Sequence, residues 1–349
     1  MASTDKDLPL KMMVAAIFRS MGYTAFSEVD LCTYTYKGTY KRKQVTDLDV
    51  LGIRIDPDLE AFLAVCECKS GEQRAMENLL KLHGVQDFFK AHKAYFVQQK
   101  IDVNAREVGA QMGVTCLDKA NITTLMKSLS IGESDVLLEH RIYDARSAMA
   151  AEHKTLFPRQ LEYLRYDFWT LPDHRNIINI VRLLGQMSPD LDARKVSHIV
   201  LCHQLTTALA LSILRMGSGI IRSNVDDFQD SVLTAILGGA RERRDREVLH
   251  DTVAKVVPDA HLPLVPEFFE PLVELVGRYL NAVLYSHRIV ACLDEMGRRV
   301  VLKDDHKQEL PAVTDLFHER TIKLSRDALH FTSKVSGIPL EVFEMSLTE

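Results

Sequence analysis

The sequence predicts an α/β sandwich, a mixed sheet flanked by helices, over about the first 130 residues, and an all-α domain over the remainder. Three observations carry this. Between Gln44 and Ser70 two apolar runs, QVTDLDVLGIRI and AFLAVCECKS, flank a turn at Asp56-Pro57-Asp58 and read as a β-hairpin. Around that pair, segments of helical and strand character alternate up to Leu129. From Gly132 onward almost every segment has helical spacing and little strand character.

In chain order, Leu10, Met13, Val14, Ile17, Phe18 and Met21 fall at helical spacing, and Gly22 at the C′ position stops that helix. Tyr23 to Tyr36 reads as a strand containing Glu28. Tyr34 to Lys43 is a turn around Gly38 with a basic, tyrosine-rich edge. After the hairpin, Ala75, Leu79, Leu82, Val85 and Phe89 form one stripe of a helix over 72–91. Lys93 to Gln98 is a short buried strand, Val103 to Met112 a helix, Gly113 to Leu117 a last strand and Ile122 to Leu129 a closing helix. Residues 131–165 mix charged and apolar positions and read as a connecting segment. A helical domain then covers 166–349, with helices expected over 175–187, 193–216, 226–237, 242–256, 266–296 and 311–335. Gly217-Ser218-Gly219, Gly238-Gly239 and Pro263 punctuate them.

The totals exclude several classes. A chain of 349 residues has room for two domains, and its net charge of −5 argues against a wholesale basic coat. Six cysteines, scattered singly apart from Cys66-x-Cys68, do not make a disulfide framework. Cys66, Cys68 and His83 lack the second ligand pair that zinc spacing requires. No secretory signal and no membrane-spanning run is legible, so the expected setting is the reduced cytoplasm. No P-loop, G-x-G-x-x-G, nucleophile elbow or H-E-x-x-H occurs.

The charged residues inside the hairpin carry the chemistry. Period-2 alternation puts Glu67 and Lys69 on one face of the second strand and Cys68 on the other. Charges in an apolar strand demand a partner, a metal or a shifted pKa. Asp49 and Glu67 offer hard oxygen ligands for Mg²⁺ or Mn²⁺, with the backbone carbonyl of Cys68 between them. Lys69 would orient or deprotonate a water there and offset developing negative charge. Asp47 lies on the same face of a regular strand as Asp49, so alternation does not choose between them.

An acid on one strand followed by Glu67-Cys68-Lys69 on the next, within LDVLGI and LAVCECKSG, resembles the PD-(D/E)xK, restriction-endonuclease-like nuclease superfamily. The closing stretch AREVGAQMGVTCLDKANITTLMKSL is similar to the last βα unit of Mrr-like members, so the resemblance spans residues 8–130. It implies metal-dependent phosphodiester hydrolysis, with Asp49 rather than Asp47 at the metal. Glu28 matches the auxiliary acid by position, against the alternative of a solvated strand glutamate. The Q-x₃-Y motif of some branches is not met, because Gln86 is followed four positions later by Lys90. Gln86 is thereby a weak candidate.

Lys37, Lys41, Arg42 and Lys43 beside tyrosines suit a phosphate backbone and stacked bases, or simply a solvated hairpin tip. DNA is the expected substrate, with RNA open, and restriction, repair or antiphage defence the expected setting. The alternative is a non-catalytic scaffold that acts through its helical half. The run from His198 to Leu214 is almost continuously hydrophobic and belongs either in a bundle core or at an interface with a second copy or a partner protein.

Overall fold

A computed structural model describes residues 6–36, 40–71, 74–223, 227–256, 265–302 and 312–344. The chain divides into two compact units, residues 1–54 with 61–170 and residues 55–60 with 171–349.

The first unit is built on a five-stranded mixed sheet in the order β1-β2-β3-β4-β5. Its strands are β1 (Thr24–Tyr36), β2 (Tyr40–Ile55), β3 (Ala61–Lys69), β4 (Lys93–Gln98) and β5 (Val114–Asp118). β1 and β2 are antiparallel, while β3, β4 and β5 are parallel. The parallel part follows from its connections: α2 (Ala75–Phe89) and α3 (Val103–Gln111) each carry the chain back across the sheet. α1 (Leu8–Ser20) lays Leu10, Val14, Ile17 and Phe18 onto Val50, Ala64, Cys66, Cys68 and Val97 to make the core. Cys66 and Cys68 therefore face apolar side chains, with their sulfurs 3.7 Å apart.

Local chemistry sets the boundaries. Asp102 caps α3 by accepting from the Ala105 amide at 2.8 Å. The expected closing helix begins earlier than its apolar pattern suggests, at Lys119, because Asp118 and Asn121 form a reciprocal capping box at the start of α4 (Lys119–Ser128). The stretch expected to connect the halves is instead a 24-residue helix, α5 (Glu133–Leu156), within the first unit. It buries Leu138 and Ile142, and its buried Glu139 pairs with Arg19 of α1 at 3.1 Å. Beyond the short α6 (Pro158–Glu162), Trp169 stacks edge-on against Phe26 of β1 and donates to the Leu164 carbonyl at 2.8 Å.

Gly52 of β2 lies against the Phe18 ring of α1. A Cβ built there would stand 2.7 Å from Phe18 Cδ2. Gly52→Ala must push the buried Phe18 ring aside, so we expect a loss of about 1–3 kcal/mol, read as a lower denaturation midpoint at unchanged slope. Equal midpoints would show that the ring yields freely.

The second unit is helical, as expected. Its centre is α8 (Val196–Arg222), packed by α7 (Asp173–Met187), α11 (Phe269–Leu280), α13 (Ile289–Val301) and α15 (Glu319–Ser336). α9 (Phe228–Ile236), α10 (Ala240–Val256), α12 (Val283–Ser286), α14 (Val313–Leu316) and α16 (Glu341–Glu344) are its other α-helices among the described residues. By length and composition α8 could cross a membrane, but 89% of its most apolar window is buried inside the structure. The run from His198 to Leu214 is thus core.

Two expected boundaries shift. Gly217-Ser218-Gly219 does not end α8, which runs on to Arg222; a Cβ at Gly217 would lie 3.1 Å from Leu280 Cδ2, so the glycine admits α11. The single helix expected over 266–296 is three, broken after Leu280, where Ser286 Oγ donates to the freed Tyr279 carbonyl at 2.8 Å. The expected helix over 311–335 is likewise split, with His318 capping the start of α15 by accepting from the Arg320 amide.

Candidate active site

The register of β1 against β2 pairs Ser27 with Val50 and Val29 with Leu48. Glu28 falls between those pairs, opposite Asp49, and its φ of +58° places it in the left-handed region. That local twist presents its carboxylate to Lys11 of α1. The Lys11 ammonium lies 2.5 Å from Glu28 Oε1 and 2.9 Å from Asp49 Oδ1. The other oxygen of Asp49 accepts from the Cys68 amide at 2.7 Å and stands 3.6 Å from Lys69 Nζ. Lys69 in turn reaches Glu67 Oε1 at 2.8 Å, and Lys81 of α2 approaches the same oxygen at 3.8 Å. Asp7 closes the cluster: its Oδ2 is 4.0 Å from Lys69 Nζ and its Oδ1 accepts from the Ser70 amide.

Asp49, Glu67, Lys69 and Glu28 are thus brought together, with Glu28 joined to Asp49 through Lys11. The sequence reading missed Lys11, Asp7, Lys81 and the fully buried Gln98, which is the register partner of Lys69 and donates to the Gly71 carbonyl at 2.6 Å. Only Lys11 left a legible signal, a lone cation inside the apolar run LPLKMMVAAIF. Asp47 is solvent-exposed and outside the cluster, which separates it from the buried Asp49.

The electrostatics follow from burial. Asp49, Glu67 and Lys11 are each 5% exposed or less, so each needs a charged partner to remain ionised. Burial first, then the charge of Asp49, pushes the Glu67 carboxyl above its usual range, against the pull of Lys69 and Lys81. For Lys69, burial opposes the charged form, but Asp49, Glu67 and Asp7 together hold its pKa above the ordinary value. Lys69 is therefore an ammonium here, suited to orienting a water and offsetting charge rather than to taking up a proton.

The donor set suits a hard divalent cation. Asp49 and Glu67 are carboxylates, and burial first and then the charge of Asp49 raise Glu67; a cation between them would offset both. Cys66 and Cys68 turn their sulfurs into the core, and His83 sits on α2 near Asp87, so no soft zinc site forms from them. Cys68 enters the cluster through its amide, which donates to Asp49. Among the described residues no group of three or more His, Cys, Asp and Glu side chains is arranged as a metal centre. Ammonium groups stand beside the carboxylate oxygens instead.

The weaker candidates separate. Lys41 and Lys43 are exposed on β2. Arg42 is already engaged: its guanidinium lies 4.1 Å over the Tyr166 ring, 3.5 Å from Asp167 and 3.4 Å from Glu162. Tyr34 also bonds Asp167. Gln86 is half-buried on α2, and no hydrogen bond or ion pair among the described residues ties it to the cluster. Lys37 and the turn at Gly38 lie outside the described residues.

No family model matches the chain, and neither curated proteins nor solved structures give a match.

Proposed function

We propose that the first unit is a Mg²⁺- or Mn²⁺-dependent endonuclease of the PD-(D/E)xK, restriction-endonuclease-like type, acting on DNA in preference to RNA. One observation supports this most directly: Lys69 bridges two buried carboxylates, Asp49 and Glu67, from adjacent strands of a mixed sheet, at 3.6 and 2.8 Å. Asp49 and Glu67 would hold the cation, with Glu28 assisting. The bound cation would polarise the scissile phosphate and lower the pKa of a coordinated water. Lys69 orients that water and offsets charge on the phosphorane-like transition state. Lys81 stands at the rim, 48% exposed, where it can meet a phosphate. Lys41 and Lys43 on β2 supply further exposed cations. A cytoplasmic role in antiphage defence, restriction or repair accords with this reading, with the helical unit as the assembly or regulatory part.

A second reading has its own observation. Lys11 and Lys69 already pair with Asp49, and Lys69 with Glu67. A scaffold that kept the fold and works through its helical unit would carry such an internally paired cluster without cleaving anything.

Incubating the protein with supercoiled plasmid, linear duplex and single-stranded DNA and RNA, in Mg²⁺, Mn²⁺ or EDTA, separates the two. Metal-dependent cleavage supports the enzyme; intact substrates under every condition favour the scaffold. Asp49→Asn should weaken Mn²⁺ binding by calorimetry at least about tenfold, since even outer-shell partners are worth roughly 10–100-fold. Unaltered affinity would remove Asp49 from the metal site.

A further inference from the structure

Lys11 is a member of the cluster that the proposed chemistry does not require. It projects from α1, its side chain is 6% exposed, and its ammonium touches Glu28 and Asp49 at 2.5 and 2.9 Å. Removing a lysine that far from water needs strong compensation, and two carboxylates supply it. The oxygen it holds, Asp49 Oδ1, is the one not taken by the Cys68 amide. It is therefore the Asp49 oxygen that has the ammonium, and not a backbone amide, against it.

We propose that Lys11 is a tethered counter-ion that competes with the divalent cation for Asp49 Oδ1. The chain's own ammonium neutralises the carboxylates in the absence of metal, and cation binding requires that it leave Asp49. This rests on the reading of the cluster as a metal-dependent site and adds a control to it. Metal affinity is set by how firmly α1 holds Lys11 in place. An event that draws α1 or Glu28 away from Asp49 raises that affinity; one that presses Lys11 inward keeps the site idle. Glu28 has a part in this balance: as the second partner of Lys11, it gives the displaced ammonium an anion to remain with.

Replacing the ammonium by a neutral chain of similar length tests the competition. Mn²⁺ is titrated into the full-length protein, wild type beside Lys11→Met and Lys11→Gln, with unbound Mn²⁺ followed by electron paramagnetic resonance and stability by thermal melting. Removing a positive charge in contact with a ligand oxygen should tighten Mn²⁺ binding by about tenfold or more. Mn²⁺ should also raise the Tm of the variants further than that of wild type. The glutamine keeps a donor towards Asp49 and decides the matter if the methionine variant does not fold. Equal affinity in wild type and variants, with wild-type cleavage intact, overturns the competition and leaves the nuclease reading standing. Weaker binding in the variants also overturns it, since Lys11 would then be positioning Asp49 for the cation. No Mn²⁺ binding by any of the three proteins, together with no cleavage, means that the metal-site reading itself has failed and the competition with it.

Discussion

Lys69→Ala is expected to lower metal-dependent cleavage by at least about a hundredfold, the usual cost of losing one preorganised electrostatic contact to the transition state. Its side chain is one-third exposed at the open end of β3, so truncation leaves the core of Leu10, Val14, Phe18, Val50 and Val97 untouched. Circular dichroism should therefore be unchanged. The chemical loss is larger than the structural one because Lys69 touches three acids at once, Asp7, Asp49 and Glu67. Without it, the cation left to Glu67 among the described residues is the more distant Lys81, and its carboxyl rises further above its usual range, which weakens it as a ligand. Lys69→Arg should rescue little: a planar fork does not replace a compact ammonium held 2.8 Å from one carboxylate and 3.6 Å from another. Full activity in Lys69→Ala, with the fold intact, would take Lys69 out of the mechanism and with it the strongest support for the enzyme.

What could be read in the sequence depended on whether a signal was local. Asp49, Glu67 and Lys69 stand as charges inside apolar strands, and neighbouring strands had to bring them together, so the core of the site was legible. Lys11 and Asp7 meet that core only through the packing of α1 on the sheet, a distance in sequence that no periodicity spans. Glu28 reaches the cluster by a left-handed backbone that its residue type does not announce. α5 resembled a connection because it buries only a narrow stripe and relies on the pair between Glu139 and Arg19. In the helical unit, Gly217 marks close packing rather than a stop, while the break after Leu280 carries neither glycine nor proline. Side-chain hydrogen bonds and the fit between helices decided both cases, and neither is a property of a single segment.

That fit also predicts how the helical unit fails in acid. His203 of α8 is 1% exposed, packs edge-on against Phe343, and among the described residues has no hydrogen-bond partner on either ring nitrogen. Burial alone pushes its pKa down to about 4 from an ordinary 6.5. The sign follows from proton counting. Below pH 6.5 the unfolded chain protonates this imidazole while the folded chain does not, so acid favours unfolding. Stability is full above pH 6.5, falls as pH drops towards 4, and loses no more to this group below that point. At about 1.4 kcal/mol per pKa unit, the loss is on the order of 3 kcal/mol, a large fraction of what holds an ordinary domain together. Carboxylates titrate in the same range, so the test is a difference. His203→Leu removes the proton site without orphaning a partner, and its denaturation free energy is compared with wild type from pH 7.5 to pH 4. The gap between the two should shift towards the variant by about 3 kcal/mol over that interval. A gap that does not change with pH would mean that the protonated ring finds water or a carboxylate in the folded unit, and that α8 yields there more readily than its packing implies.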